Sequence, residues 1–158
     1  MAIKVGNKGV ANIFIGSTPV KSVYKGNTKI WASESWHTIF DTERTWEGYF
    51  TTSAPRVFAS TTNESKKFRI TYKCTGSSIT VYQHGSKNSN TEYTDTFEIS
   101  DTGNVLMLQA VNYDFMGGGR SEVGIYYNVS TKEFTDQLKK SGNVSSAFIT
   151  IYKIEQLY

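Results

Sequence analysis

The chain has 158 residues, of which 38% are hydrophobic, 14% aromatic and 20% charged, and this suits one domain with an appendage. It is long enough to bury a core without disulfide bonds, and its single cysteine, Cys74, excludes an internal one. No run of about eighteen apolar residues is present, so no membrane partner is expected. Residues 1–6 lack the apolar stretch of a secretory signal peptide, and we expect synthesis in a reducing cytoplasm.

The net charge of +3 is distributed unevenly along the chain. Residues 1–32 contain five lysines and no acidic residue, whereas residues 33–158 contain twelve basic and fourteen acidic residues. Such asymmetry indicates that the basic end meets an acidic surface, either a capsid shell or nucleic acid. Alternatively, the lysines keep exposed strand edges from pairing with other chains. Nucleic acid is the less favoured partner because the lysines are spread out and residues 1–32 contain no arginine to read bases.

The first thirty-two residues repeat with a period of ten, in copies that start at Ile3, Ile13 and Val23. Each copy has an aliphatic residue, a glycine three positions later and a second aliphatic residue four positions after the glycine. The three glycines are Gly6, Gly16 and Gly26. This pattern predicts a short strand, a glycine turn at positive φ and a second short strand. A stack of hairpins without a special role is the alternative interpretation.

The second and third copies, residues 13–31 (IFIGSTPVKSVYKGNTKIW), resemble a short segment found in many tailed-bacteriophage virion proteins. That segment repeats a unit of a hydrophobic residue, tyrosine, any residue, glycine, a small residue and threonine. It closes on a hydrophobic residue followed by tryptophan, as Ile30 and Trp31 do here. The first copy departs from the pattern, with Lys4 in place of the aromatic residue and Lys8 in place of threonine. Together with the first copy, the repeat covers roughly a fifth of the chain.

The resemblance implies an auxiliary structural protein of a phage particle, made in the host bacterial cytoplasm and located in the virion. Capsid decoration, a head fibre and a tail-associated protein are all compatible with it. The repeat would dock on the major capsid or tail protein, and the remainder of the chain would project outward in many copies, with a homotrimer as one arrangement. The docking residues expected from the second and third copies are Ile13, Ile15, Gly16, Val23, Tyr24, Gly26, Ile30 and Trp31.

A domain boundary is expected near residues 32–35, which separates a docking repeat at 1–32 from a second domain at 33–158. In the second domain, short runs of β-branched and aromatic residues alternate with polar residues and are separated by polar turns. The predicted strands span residues 36–40, 46–51, 56–59, 67–74, 78–83, 94–100, 105–112, 123–129 and 147–155. Many short strands at this spacing indicate an all-β fold, an antiparallel β-sandwich of the jelly-roll type.

One short helix is also predicted, directly after the strand at 123–129. Residues 130–133 (Ser-Thr-Lys-Glu) have the sequence of a capping box, in which the first and last side chains satisfy the free N–H groups of a helix start. Phe134 and Leu138 are four residues apart and share one helical face, and Gly142 can end the helix. We expect this helix to cover one end of the sandwich as a connector.

No residue pattern points to catalysis, a metal or a cofactor, so the chain is not expected to be an enzyme. His37 and His84 lie in different segments, and neither has a second histidine or cysteine at metal-ligand spacing. Residues 116–120 (Met-Gly-Gly-Gly-Arg) lack the Gly-Lys-Ser/Thr ending of a phosphate loop and precede a strand, so they are expected to form a flexible loop. Acidic residues within 41–47 could supply a glycosidase pair, but nothing singles them out.

Aromatic side chains give a second functional hypothesis, recognition of a glycan on the host surface. Carbohydrate-binding sandwiches present tryptophan or tyrosine faces to sugar rings and place asparagine, aspartate and arginine beside the hydroxyl groups. The candidate glycan-binding residues are Trp46, Tyr49, Asn112, Tyr113, Asp114 and Arg120. The expected sandwich resembles small carbohydrate-binding modules at the level of fold alone, and core packing is the alternative role for each aromatic residue.

Overall fold

The computed structural model describes residues 4–5, 8–9, 13–25, 27–32, 34–48 and 54–158, with the backbone alone described at 4–5, 8–9 and 29–32. The chain divides into two compact units, Met1–Trp36 together with Tyr158, and His37–Leu157. Every regular element in the described ranges is a β-strand. Within those ranges no helix is long and apolar enough to cross a membrane.

The first unit contains short two-stranded antiparallel sheets. Its pairs are β1 (Lys4–Val5) with β2 (Lys8–Gly9), β3 (Ile13–Ile15) with β4 (Thr18–Val20), and β5 (Ser22–Lys25) with β6 (Thr28–Ala32). Gly16 makes the turn between β3 and β4 at a φ of 62°, a conformation that glycine adopts without steric cost, as the sequence predicted. Gly6 and Gly26 lie outside the described residues, so a repeat of three equal copies stays a prediction.

The second unit is built from two antiparallel sheets. The five-stranded sheet has the order β13 (Glu92–Glu98), β10 (Lys67–Thr75), β17 (Phe148–Leu157) and β7 (Trp36–Phe40), and β8 (Arg44–Glu47) also pairs with β17. The six-stranded sheet has the order β12 (Gly85–Ser86), β11 (Ser78–Val81), β14 (Asn104–Asp114), β15 (Gly119–Asn128), β16 (Glu133–Ser141) and β9 (Arg56–Ser60). Each strand predicted from the sequence overlaps one of these strands, which confirms the all-β antiparallel class.

One hydrophobic core joins the two sheets of the second unit in a sandwich-like arrangement. The inward side chains of β10 are those of Phe68, Ile70, Tyr72 and Cys74, and all of them are buried. The Phe68 ring contacts Tyr127 on β15 and Phe134 on β16, with ring centroids 4.7 Å and 5.2 Å away. Because alternate residues of a strand point to one face, each sheet presents an apolar face to the other and a more polar face to solvent.

The strand order differs from the jelly roll expected from the sequence. Strands β14, β15 and β16 follow one another in the chain and are also neighbours in the sheet, so they form a meander. A regular jelly roll combines two Greek keys, in which consecutive strands mostly alternate between the sheets. Here the turns at 115–118 and 129–132 have only four residues each, and such short turns make sequential strands pair with each other.

The helix predicted after residue 130 is wrong, because this segment forms a turn followed by β16. Asn128 Oδ1 accepts hydrogen bonds from the backbone N–H groups of Ser130 and Thr131, at 2.9 Å and 3.0 Å, and this fixes a turn where the helix was expected to begin. The buried side chains of β16 are those of Phe134, Asp136 and Leu138. Burial of every second residue is the period of a strand that faces a core, not that of a helix.

Candidate functional site

Trp46, the largest candidate for sugar stacking, is a core residue and is only 3% exposed. Its indole Nε1 donates a hydrogen bond of 2.7 Å to Asp136 Oδ2. The Trp46 ring lies 4.6 Å from the Phe58 ring between centroids, and the Arg44 guanidinium lies 5.0 Å from the Trp46 centroid. A ring enclosed in this way cannot stack on a ligand, so the sequence-based assignment of Trp46 to a glycan site is corrected to core packing.

Asn112 is engaged in local structure. Its Oδ1 accepts a hydrogen bond of 2.7 Å from the Ser77 backbone N–H, and its Nδ2 donates to the Ser146 carbonyl at 3.0 Å. Both ends of the amide therefore hold the neighbouring segments against β14. Tyr49, another aromatic candidate for sugar stacking, lies outside the described residues.

The other three candidates come together at the hairpin that links β14 to β15. Tyr113 and Arg120 are directly opposite each other in the ladder, and the Arg120 guanidinium lies 5.3 Å from the Tyr113 ring centroid. At this distance a guanidinium interacts favourably with an aromatic face. Asp114 Oδ1 accepts a 3.0 Å hydrogen bond from the Met116 N–H, and Gly118 completes the turn at a φ of 67°.

The turn of this hairpin carries two exposed apolar residues that were not among the sequence-based candidates. Phe115 is 90% exposed and Met116 is 100% exposed, and the Phe115 ring lies 5.9 Å from the Tyr113 ring at an interplanar angle of 32°. We call Tyr113, Phe115 and Met116 the hairpin tip. Single exposed apolar residues are ordinary, whereas adjacent ones at a turn make the hairpin tip a candidate for binding. The sequence does contain a signal for this surface, because Phe115 and Met116 are adjacent apolar residues directly before three glycines, where polar turn residues are expected.

A shallow groove of about 320 Å³ lies on β15 and β16 beside the hairpin tip. We call it the basic groove, and it is lined by Arg120, Glu122, Lys139, Lys140 and Ser141. Arg120 Nη2 donates to Glu122 Oε2 at 2.7 Å, and Gln109 Nε2 donates to Glu122 Oε1 at 2.6 Å. Lys139 is exposed directly opposite Glu122 in the ladder, and Lys140 Nζ donates a hydrogen bond of 3.2 Å to Ser146 Oγ.

A second polar cluster surrounds Asp95 on β13. The Tyr72 hydroxyl donates to Asp95 Oδ2 at 2.7 Å, Lys87 Nζ lies 3.1 Å from the same oxygen, and His84 Nδ1 lies 3.8 Å from Oδ1. Burial acts to raise the pKa of Asp95, but the hydrogen bonds from Tyr72 and Lys87 outweigh it and hold this pKa below its ordinary value. These groups satisfy one another, which is typical of a structural network. Among the described residues, no set of three His, Cys, Asp or Glu side chains is placed to hold a metal ion.

The first unit also exposes apolar side chains, two of which belong to the predicted docking set. Ile15 is 76% exposed and Tyr24 is also exposed, as is Phe14, which the sequence did not single out. Phe14 and Ile15 are consecutive residues of β3 and therefore point to opposite faces of its two-stranded sheet. A two-stranded sheet cannot cover both faces by itself.

The remaining docking candidates are less exposed or only partly described. Ile13 and Val23 are half-buried. Trp31 is opposite Val23 in the ladder between β5 and β6, and Ile30 precedes it on β6. Gly26 lies outside the described residues.

The described residues thus offer two candidate binding surfaces, each within one unit. The first is the set of exposed apolar side chains on the hairpins of the first unit, and the second is the hairpin tip with the basic groove. In comparisons with known proteins, no family model, no curated protein and no solved structure matches this chain.

Proposed function

We propose that this chain is an auxiliary structural protein of a bacteriophage particle. Residues 1–32 dock on the major capsid or tail protein, and residues 33–158 project outward as a capsid decoration, a head fibre or a tail-associated domain. The proposal begins from the resemblance of residues 13–31 to the virion segment. The observation that carries it is the exposure of large apolar side chains on the hairpins of that same segment.

A partner surface gives these apolar side chains a physical role. Phe14, with 58% of its surface exposed, and Ile15 lie on a strand of three residues, so neither can be buried within its own small sheet. Burying apolar surface against a partner stabilises a complex by roughly 25 cal/mol per Å² of apolar area removed from water. Docking through these residues therefore gives a stabilisation that the isolated hairpins, which have no partner to cover these side chains, do not have.

Charge favours an acidic protein surface as the partner. Residues 1–32 carry five lysines and no acid, and the side chains of Lys21, between β4 and β5, and Lys25, at the end of β5, are exposed. Complementary charge speeds the encounter between partners and fixes their orientation. The short strands can also pair their backbone edges with strands of the partner.

The symmetry of a particle explains why weak docking of each single copy is sufficient for attachment. A symmetric shell or tail presents the same surface many times, so many copies of this chain bind at equivalent positions. If the projecting domains associate, a homotrimer being one arrangement, each assembly docks through several repeats at once and its overall attachment is strengthened. In this role the chain acts by binding, without catalysis, metal or cofactor.

The docking role predicts that Ile15→Glu weakens attachment at least about tenfold, because a charge would enter an apolar contact. The full-length variant is mixed with particles produced without this chain, and the bound fraction is measured after sedimentation. Met116→Glu is the matched control, since it places the same charge at another fully exposed apolar residue. Docking through β3 is contradicted if Ile15→Glu attaches as well as wild type does. It is also contradicted if Ile15→Glu and Met116→Glu lose attachment equally.

Recognition of a host-surface glycan is the second candidate function, and the hairpin tip is the observation that favours it. An exposed phenylalanine beside a half-exposed tyrosine offers ring faces to the apolar side of a sugar. The two functions are compatible, because a particle can carry a receptor-binding domain on a docking segment.

A further inference from the structure

We infer that residues 82–90, which we call the edge strap, occupy the open edge of β13 in place of a further strand and keep this edge from pairing with β13 of a second copy of the chain. The edge strap consists of β12 and the turns on either side of it. The inference depends neither on docking through residues 1–32 nor on glycan recognition.

Among the described residues, β13 is the longest strand at an edge of either sheet of the second unit. It has seven residues, whereas β7 and β9 have five each, β8 has four and β12 has two. Its register with β10 runs from Glu98 to Glu92 without a bulge, and the strand contains no proline or lysine. Bulges, prolines and lysines commonly keep an edge strand from pairing with other chains, so this edge lacks three of the usual protections.

The hydrogen bonds of the edge strap identify the backbone groups of β13 that face outward. Gln83 Nε2 donates to the Glu98 carbonyl at 2.9 Å, and the Glu98 N–H donates to Gln83 Oε1 at 3.3 Å. The side-chain amide therefore bonds to both backbone groups of one residue, as a neighbouring strand would. Because every second residue of an antiparallel strand directs its backbone groups to the same side, Glu92, Thr94 and Thr96 face this edge as well.

The edge strap runs antiparallel to β13, in the place that an added strand would take. Beyond Gln83, His84 Nε2 donates to the Thr96 carbonyl at 3.0 Å. Farther along, the Asn88 N–H donates to the Tyr93 hydroxyl at 3.1 Å. Residue numbers thus rise along the edge strap as they fall along β13, and another strand can reach this edge only if the edge strap moves away.

Further side-chain contacts hold the edge strap against β13. Lys87 Nζ lies 3.1 Å from an oxygen of the largely buried Asp95 carboxylate and 4.7 Å from the centroid of the Tyr93 ring. The His84 ring lies edge to face with the Phe97 ring, at a centroid distance of 5.3 Å. Ion pairs, cation–aromatic contacts and edge-to-face ring pairs are all favourable, so the edge strap is attached by more than its hydrogen bonds to the edge.

The backbone conformation of Gln83 supports a role for its side chain at this edge. Gln83 has a φ of 61°, in the left-handed region that residues with a side chain seldom adopt. A glycine would take this conformation at less steric cost, but it would have no amide to bond to Glu98. The glutamine thus combines an unfavourable φ with a side chain that satisfies two backbone groups of the edge.

A second copy of β13 fits this edge once the edge strap is displaced. In an antiparallel pair with its two-fold axis at Asp95, Thr94 of each copy lies opposite Thr96 of the other, and Glu92 lies opposite Glu98. Cross-strand threonine pairs are favourable, whereas facing glutamates repel each other. Because salt screens repulsion between exposed charges, this pairing should strengthen as the salt concentration rises.

Amide hydrogen exchange followed by NMR tests whether the edge strap covers the edge. Gln83→Gly removes the side-chain amide and suits the positive φ, so we expect the fold to be kept. The Glu98 N–H should then exchange at least about tenfold faster, whereas the Phe97 N–H, which faces β10, should exchange as in wild type. Unchanged exchange of the Glu98 N–H in the variant contradicts the inference.

Size-exclusion chromatography with light scattering tests pairing with a second copy. The open-edge variant, Gln83→Gly with His84→Ala in the full-length chain, should associate into a species of twice the wild-type mass. Its dissociation constant should lie at least about tenfold below that of any such association of wild type. Thr94→Pro in the open-edge variant is the matched control, because it removes an outward N–H without removing a hydrogen bond to β10. This control should restore the wild-type mass, and circular dichroism checks that each variant folds.

Three results of the mass measurement would overturn the inference. An open-edge variant with the wild-type mass at every concentration rejects a second copy as the occupant. Association that persists with Thr94→Pro assigns it to a surface other than β13. Association that weakens as salt is raised contradicts the proposed pairing of Glu92 with Glu98. If the open-edge variant does not fold, Gln83→Gly alone is used in both measurements, and the same results decide.

Discussion

Trp46→Ala is expected to lower the free energy of unfolding by about 4 kcal/mol, because a large buried side chain is removed and a cavity remains. Trp46 is almost fully buried, packs on the Phe58 ring and donates its indole N–H to Asp136. The truncation removes the ring contacts and also leaves the Asp136 carboxylate without this donor. Urea unfolding followed by circular dichroism measures the change.

Trp46→Phe separates the packing contribution from the hydrogen bond. It keeps most of the ring contacts and removes the donor to Asp136, so we expect a loss of about 1–3 kcal/mol. A Trp46→Ala protein that keeps wild-type stability would contradict the core placement of Trp46.

Phe134→Ala is expected to cost about 3–5 kcal/mol, an effect as large as that of Trp46→Ala. Phe134 is fully buried on β16 and lies among the rings of Phe68 and Tyr127, with centroid separations of 5.2 Å and 4.8 Å. Because Phe68 belongs to the opposite sheet, the truncation loosens contacts between the two sheets as well as within one.

Phe115→Ala is the matched control for Phe134→Ala, since it makes the same chemical change at a residue that is exposed on the hairpin tip. We expect its free energy of unfolding to stay within about 0.5 kcal/mol of wild type, as for most surface substitutions. Equal losses for the two variants would mean that the hairpin tip is buried or that Phe134 is not in the core. Either result would contradict the placement of these residues.

The strands were predictable because their signal is local. On β10 the apolar residues alternate from Phe68 to Cys74, and a period of two is read directly from the sequence. Cys74 was expected to behave as a small buried hydrophobe, and burial raises the pKa of its thiol to about 12. Gly16 was likewise recognisable because a tight turn at positive φ requires a residue without a side chain.

Strand β16 was missed because the spacing of Phe134 and Leu138 fits two structures. Residues four apart share a face in a helix, and they also share a face in a strand because four is an even number. The residue that decides between them is Asp136, which faces the core but is polar. Its burial depends on the Trp46 indole and on the Arg56 guanidinium, both of which are distant along the chain, so no local pattern could reveal it.

The candidate site was only partly predictable for the same reason. Tyr113, Asp114 and Arg120 are close in sequence and joined by one hairpin, so a local argument found them together. Trp46 looked like an equally good aromatic platform, since its burial results from contacts with distant strands. Phe115 and Met116 were overlooked because the adjoining glycines suggested a flexible loop, whereas they occupy a four-residue turn between two long strands. Lys139 was missed because it belongs to β16, which had been assigned to a helix.

Immunogold electron microscopy of intact phage particles, from a lysate of cells that produce this chain, tests the particle role most directly. The antibody is raised against residues 33–158, the part proposed to project outward. We predict regular labelling of the particle, over the heads for a decoration or head-fibre role and at the tail for a receptor-binding role. Intact particles that stay unlabelled, with an antibody that recognises the folded protein, would contradict a place for this chain in the virion.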